Sequence, residues 1–197
     1  PAFKKVPGYR WATCISVNQV LVHGIPKGTV KPGDIVNIDT GMYFQGTTSD
    51  CSTTFVVGQA TPEQEHFLNV GQKTLKEAIK KAKPGNRIRD ISGTIQKHIE
   101  AAGYNVTRNL TGHGVGRTMH EEPPIPCFIS NDPDLSIRII PGMVLAIEVM
   151  YMKGDWPLVL GKDGWTLSTR DGSDSAVFED DVLITPHGPE LLTVLES

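Results

Sequence analysis

The chain has 197 residues, 39% of them hydrophobic and 21% charged, a composition that suits one folded core and excludes a disordered segment. Its net charge of −3 gives no basic footprint for DNA or an anionic membrane. No apolar stretch approaches the ~20 residues that a membrane span needs. Pro1-Ala2-Phe3-Lys4-Lys5 leads into no apolar run of the kind a signal peptide carries. Cys14, Cys51 and Cys127 are scattered without CxxC spacing. A disulfide framework or a thiolate zinc site is therefore not expected, and a reducing, cytoplasmic setting is.

In chain order, Lys31-Pro32-Gly33-Asp34 marks a turn. Residues 35–43 and 48–57 then read as two strands around Phe44-Gln45-Gly46-Thr47, a hairpin. Thr61-Pro62-Glu63-Gln64 opens a helix, with Thr61 as N-cap, Pro62 in the first turn and Gln64 completing a capping box. Phe67, Val70, Leu75, Ala78, Ile79 and Ala82 form its apolar face until Pro84-Gly85 stops it. A second helix carries Ile91, Ile95, Ile99 and Ala102 on one face and ends at Gly103. After the turn at Ile140-Pro141-Gly142-Met143, residues 144–150 and 176–185 read as strands. Strands, two helices and further strands predict an α+β domain with helices packed on a mostly antiparallel sheet, undivided over 1–197.

Certain residues do not fit these elements as structure alone. Asp39 and Asp50 sit in strands, where aspartate is a poor former, and across an even-length turn they fall on one face, opposite or diagonal. Glu148 and Glu179 interrupt apolar runs that read as buried strands. A buried, isolated glutamate costs several kcal/mol. Gly112-His113-Gly114-Val115-Gly116 has the glycines of a close backbone approach, but not the register of a phosphate loop. His120-Glu121-Glu122-Pro123 is not HExxH. Each carboxylate alone has a bland reading at a strand end or an edge facing water. Taken together, four carboxylates and an imidazole suit a pair of Mn, Fe, Co or Zn ions, which would activate a water for hydrolysis. His66, His98 and His187 are expected at the surface, and Cys51 and Cys127 as small buried hydrophobes.

Asp39, Asp50, the run Gly112-His113-Gly114-Val115-Gly116-Arg117 with His120-Glu121-Glu122-Pro123, Pro141-Gly142-Met143 before Glu148, and Ser175 before Glu179 resemble methionine aminopeptidase in order and spacing. The strings from Cys14 to Asn18, from His23 to Pro26 and from Gly33 to Asp39 resemble the bacterial-type (type I) members. The resemblance implies the pita-bread fold: two pseudo-symmetric halves, a curved sheet and a dinuclear metal site. It implies Asp39, Asp50, His113, Glu148 and Glu179 as ligands, with Asp50 and Glu179 shared between two divalent ions. It also implies a proton-transfer role for Glu148, a hydrogen bond from His120 to the scissile carbonyl, and His23 near the substrate amide. Phe3, Tyr9, Cys14, Met119 and Trp165 align with the family's methionine pocket, and Asn18, Val20 and Ser175 with a monovalent-cation site. Family members usually carry ~50–60 residues, mostly a helix pair, before the Pro1-Ala2-Phe3 position, so the resemblance implies a catalytic domain without that pair. Lys5-Val6, Met119 and Val149 depart from the usual residues around the pocket and the last glutamate.

The implied activity is removal of the initiator methionine from nascent proteins with a small second residue, with the ribosome as an associated partner and no binding to DNA or membranes. Two alternatives share the fold. An Xaa-Pro aminopeptidase or dipeptidase typically has Gly-x-Tyr after the strand glutamate, where this chain has Val149-Met150-Tyr151. A non-catalytic binding protein typically loses ligands that this chain keeps.

Overall fold

In the computed structural model, which describes residues 1–193, both expected helices form, although the first ends at Ile79, ahead of the expected stop at Pro84-Gly85 and leaving Ala82 in the turn that follows. Helix α1 (Pro62–Ile79) starts in the predicted capping box. The Gln64 N–H donates to Thr61 Oγ1 at 3.2 Å and the Thr61 N–H to Gln64 Oε1 at 3.0 Å. Helix α2 (Ile88–Ala101) starts with the Arg87 N–H donating to Asp90 Oδ2 at 2.7 Å. It ends at Gly103, whose φ of +84° lets the Gly103 and Tyr104 amides return to the carbonyls of Glu100 and Ile99. Ile88, Ile91, Ile95 and Ile99 are fully buried; Ile88 extends the predicted face by one turn, and Ala102 is only half-buried. Burial of each such side chain contributes about 1.5–3 kcal/mol.

The sheet these helices cover is built from β1 (Thr13–Val17), β3 (Ile35–Phe44), β4 (Thr47–Val56), β11 (Ser175–Thr185), β8 (Val144–Met152), β6 (Thr111–Gly114) and β7 (Glu121–Pro126), in that spatial order. Two further strands, β5 (Asn105–Val106) and β12 (Gly188–Leu191), pair with β8 and β11. A separate three-stranded sheet has β2 (Val20–Val22), β10 (Leu167–Thr169) and β9 (Leu158–Leu160) in the order β2-β10-β9. All named pairings are antiparallel. The sequence reading captured the four long strands. It passed over the short ones, because two to six residues carry too little periodicity to register.

α1 and α2 lie on one face of the sheet. Tyr151 on β8 donates its hydroxyl to the Phe67 carbonyl of α1 at 2.6 Å. A Cβ on Gly71 would come within 2.6 Å of Phe178 and Tyr151, so glycine there sets how closely α1 approaches the strands. Over β3 and β4 the same face is open, leaving Met42 63%, Phe44 65% and Phe55 41% exposed. No helix among the described residues is long and apolar enough to cross a membrane.

Candidate metal centre

The opposite face of the sheet gathers the carboxylates. Five adjacent strands, β3-β4-β11-β8-β6, contribute Asp39, Asp50, Glu179, Glu148 and His113, one each. The register explains the convergence. Asp39 pairs with Ser52, Ser52 with Glu179 and Glu179 with Glu148, so one level runs straight across four strands. Asp50 pairs with Gly41 and His113 with Ala146, each two residues from that level and therefore on the same face. Asp39 and Asp50 are thus diagonal neighbours, one of the two arrangements predicted from the hairpin.

Ligand atoms of Asp50, His113 and Glu179 lie within 4.8 Å of one another. His113 Nε2 is 3.7 Å from Glu148 Oε1 and 3.9 Å from Asp50 Oδ2, too long for hydrogen bonds and spaced for an ion between them. The other ring nitrogen, Nδ1, is 2.8 Å from the Gly114 carbonyl oxygen. That oxygen can only accept, so Nδ1 carries the proton and Nε2 presents its lone pair to the carboxylates, the tautomer a metal ligand needs. Burial lowers His113 to about 4, which keeps the ring neutral.

The carboxylates raise one another. Burial moves Asp39 up to about 7. Burial, then the charges of Asp39 and Glu148, moves Asp50 up to about 10. Glu148 and Glu179 are held well above the ordinary range, by burial first and neighbouring carboxylates second. Asp39 Oδ1, Asp50 Oδ1 and Glu179 Oε1 are buried with no hydrogen-bond partner. Orphaned oxygens in a crowd of carboxylates fit divalent cations, whose charge removes this penalty.

The glycines around His113 serve close approach. A Cβ on Gly112 would lie 2.6 Å from the Ala146 carbonyl oxygen, and one on Gly114 would lie 2.2 Å from that of Glu122. The chain then loops through residues 115–120 and returns His120 to the same cavity, its ring 4.5 Å from that of His113, edge to face. His120 is exposed at the mouth, and its imidazole makes no hydrogen bond among the described residues, unlike a core histidine. His23 follows β2 in a left-handed conformation, φ +57°, and lines the same cavity. Burial pushes both His23 and His120 below the ordinary value, so each is neutral near pH 7.

The cavity that the carboxylates line, about 130 Å³ in all, extends to an apolar wall. Phe3, Tyr9, Cys14, Met119 and Trp165, all predicted, line it, together with Val6, one of the departures noted around the pocket, and Val22, which sequence reasoning passed over. Tyr9 organises the wall: its ring meets Phe3, Trp11 and Trp165 edge-on, and its hydroxyl lies 3.1 Å from Cys14 Sγ. Burial pushes Cys14 up to about 12, so the thiol stays protonated and is no nucleophile. Asn18 and Ser175 meet elsewhere: the Asn18 carbonyl accepts from both the Ser175 N–H and its hydroxyl, at 2.9 and 3.0 Å, and Val20 follows two residues on at the start of β2. Cys51 is half-buried, a correction to the expectation of a buried hydrophobe, because it faces the uncovered side of β4. His66, His98 and His187 are exposed as expected.

Residues 4–186 match the model of metallopeptidase family M24. The chain belongs to this family. Over 197 residues it is 42% identical to the methionine aminopeptidase of Clostridium perfringens, covering all of this chain and 78% of that protein. It is 41% identical to methionine aminopeptidase 1 of Bacillus subtilis over 194 residues, 98% of this chain and 77% of that one. The crystal structure of methionine aminopeptidase from Thermotoga maritima matches with a TM-score of 0.93 at 45% identity, over 99% of this chain and 78% of that one. Prolidase from Pyrococcus furiosus matches with a TM-score of 0.75 at 27% identity, over 95% of this chain and 50% of that one. These relations bear out the bacterial-type methionine aminopeptidase resemblance, the pita-bread fold and the class of metallo-aminopeptidase for this M24 chain.

One residue of the centre escaped the sequence reading. Asp181 is 1% exposed and accepts the Asp50 N–H at 2.8 Å. The signal was the Glu179-Asp180-Asp181 triplet inside a strand, three acids where one sufficed for the ligand set.

Proposed function

We propose that this M24 chain hydrolyses the first peptide bond of polypeptides that begin with methionine followed by a small residue. The observation that carries the reading is the junction of a neutral apolar wall with a floor of converging carboxylates. Phe3, Tyr9, Met119 and Trp165 supply the soft, polarizable contacts that a thioether favours. Asp39, Asp50, His113, Glu148 and Glu179 would hold two divalent cations, among Co, Mn, Fe and Zn. Such ions supply a nucleophilic water near neutral pH and polarise a carbonyl. Asp50 and Glu179, on the adjacent strands β4 and β11, suit shared ligation. Glu148, at the cavity wall, suits holding the proton released by the attacking water. Neutral His120 suits donation to the carbonyl oxygen as it gains charge, and His23, which lines the same cavity, suits a place near the amide.

In this reading residues 1–197 act as one catalytic domain in the cytoplasm on the N-termini of new proteins, near the ribosome, with a monovalent cation at Asn18, Val20 and Ser175. An Xaa-Pro activity is the second reading, favoured only by the shared fold; identity to the methionine aminopeptidases is higher and coverage of their length greater. A peptide panel decides. Met-Ala and Met-Gly peptides are expected to release methionine, with turnover falling steeply for Met-Leu and Met-Phe and ceasing on chelation. Preferential cleavage of Xaa-Pro peptides, or undiminished turnover after thorough chelation, contradicts the proposal.

A further inference from the structure

Between β4 and β11 the backbone ladder has one register pair, Ser52 with Glu179. Side chains take over on both sides of it. On one side Thr54 Oγ1 donates to the Val177 carbonyl at 2.6 Å and accepts the Val177 N–H at 3.0 Å. On the other, the Asp181 carboxylate takes the Asp50 N–H at 2.8 Å, where a regular ladder would offer a backbone carbonyl. The second Asp181 oxygen is buried with no partner. The Asp181 carbonyl that a ladder would offer is taken by the Leu192 N–H at 2.9 Å, and a buried carboxylate serves Asp50 instead, at a cost in stability that calls for a further reason.

The reason lies in what the inserted side chain does to Asp50. Had the ladder continued, β4 and β11 would close to the ordinary interstrand spacing at the next level. With Asp181 between them the strands stay apart beside the point where Asp50 and Glu179 must face each other and His113. Asp181 is itself fixed. Its N–H donates to Thr193 Oγ1 at 3.1 Å, its carbonyl accepts the Leu192 N–H at 2.9 Å, and Thr193 donates onward to Asp180 at 2.8 Å. The return of the chain after β12 thus braces the wedge. We infer that Asp181 is a positioning residue of the metal centre: its oxygen, anchored from β12, sets the spacing of β4 from β11 and with it the aim of the Asp50 carboxylate. This rests on the metal reading of the site but not on the choice of peptide substrate.

The test separates the position of the oxygen from its charge. Asp181→Asn keeps an oxygen acceptor at the same place and loses the charge. Asp181→Glu keeps the charge and moves the oxygen by one methylene. Metal-stripped protein is titrated with Mn²⁺ alone by calorimetry, and the melting temperature of each stripped variant is recorded beside it. Positioning predicts that D181N binds Mn²⁺ within about threefold of wild type, while D181E loses about 10–100-fold, the range for displaced supporting groups. If D181E binds as wild type, or if D181N is as weak as D181E, the inference is wrong. A role confined to strand cohesion predicts lower melting temperatures with unchanged Mn²⁺ affinity, and that result also overturns it. Should D181E fail to fold, Asp181→Ser, which draws the oxygen back by one bond, is read by the same criteria. A wild-type chain that takes up no Mn²⁺ overturns both this and the metal reading, whereas a failed peptide panel with normal titrations touches only the substrate.

Discussion

Replacing Gly114 by alanine tests whether the Gly-His-Gly run holds His113 by backbone proximity. The added Cβ would lie 2.2 Å from the Glu122 carbonyl oxygen, 2.9 Å from its carbon and 3.1 Å from the Glu121 carbonyl oxygen. All three are backbone atoms, so no side chain can swing aside, and β7 must retreat by more than 1 Å to restore ordinary contact. Overpacking of this kind costs typically 1–3 kcal/mol. In a domain of this size each kcal/mol lowers Tm by roughly 2–4 °C, which gives a fall between about 2 and 12 °C. β6 carries His113 between β7 and β8, and the Gly114 carbonyl is the acceptor that fixes its tautomer. Part of the displacement therefore reaches the ligand, and a misplacement near 1 Å in such a site costs about 10²-fold in turnover. Differential scanning calorimetry of the stripped protein, manganese titration and kcat on a Met-Ala peptide read the three consequences separately. Wild-type values in all three would refute the reasoning, since the strands would then have room that the structure denies them.

Two further outcomes follow from the same site. His120→Ala is expected to keep metal binding and to shift Tm by no more than about 6 °C, because the residue is exposed and its ring contact with His113 is worth about 0.5–1.5 kcal/mol. Its kcat should fall by ~10²–10³; loss of metal along with activity would make His120 a ligand, and an unchanged kcat would remove it from the reaction. Between pH 7 and 9 the stripped protein should lose stability, because the fold keeps protons on Asp50, raised to about 10, and on part of the Asp39 population, raised to about 7, that an unfolded chain releases near 3.8. His113, lowered to about 4, opposes this only below its ordinary 6.5, outside that window. Metal should offset the loss, so the Tm gap between loaded and stripped protein should widen with pH; a constant gap contradicts the account of the carboxylates.

The ligands were legible as anomalies of residue type. Asp39 and Asp50 in a hairpin, and Glu148 and Glu179 in apolar runs, each break a local rule, and such breaks concentrate where function overrides stability. Asp181 breaks the same rule, but Glu179 alone completed the ligand set and the rest of the acidic triplet went unused. Val22 was invisible for the opposite reason: an apolar residue in a pocket wall looks like one in the core.

What the sequence determined by itself was local. The Thr61–Gln64 box, the Gly103 terminus and the four long strands follow from periodicities of 3.6 and 2 and from caps that act within four residues. The relative faces of Asp39 and Asp50 also follow, because a hairpin register is set by its own turn. Tertiary structure decided which strands lie side by side. β4 and β11 pair across 126 residues, between Ser52 and Glu179, and only that pairing sets the two halves of the ligand cluster on one face. It also decided that His120 returns to the cavity of His113, and that residues near the start of the described chain close a pocket with Met119 and Trp165. Contacts of that range are chosen by how the apolar faces of the whole chain pack, and no window of the sequence contains them.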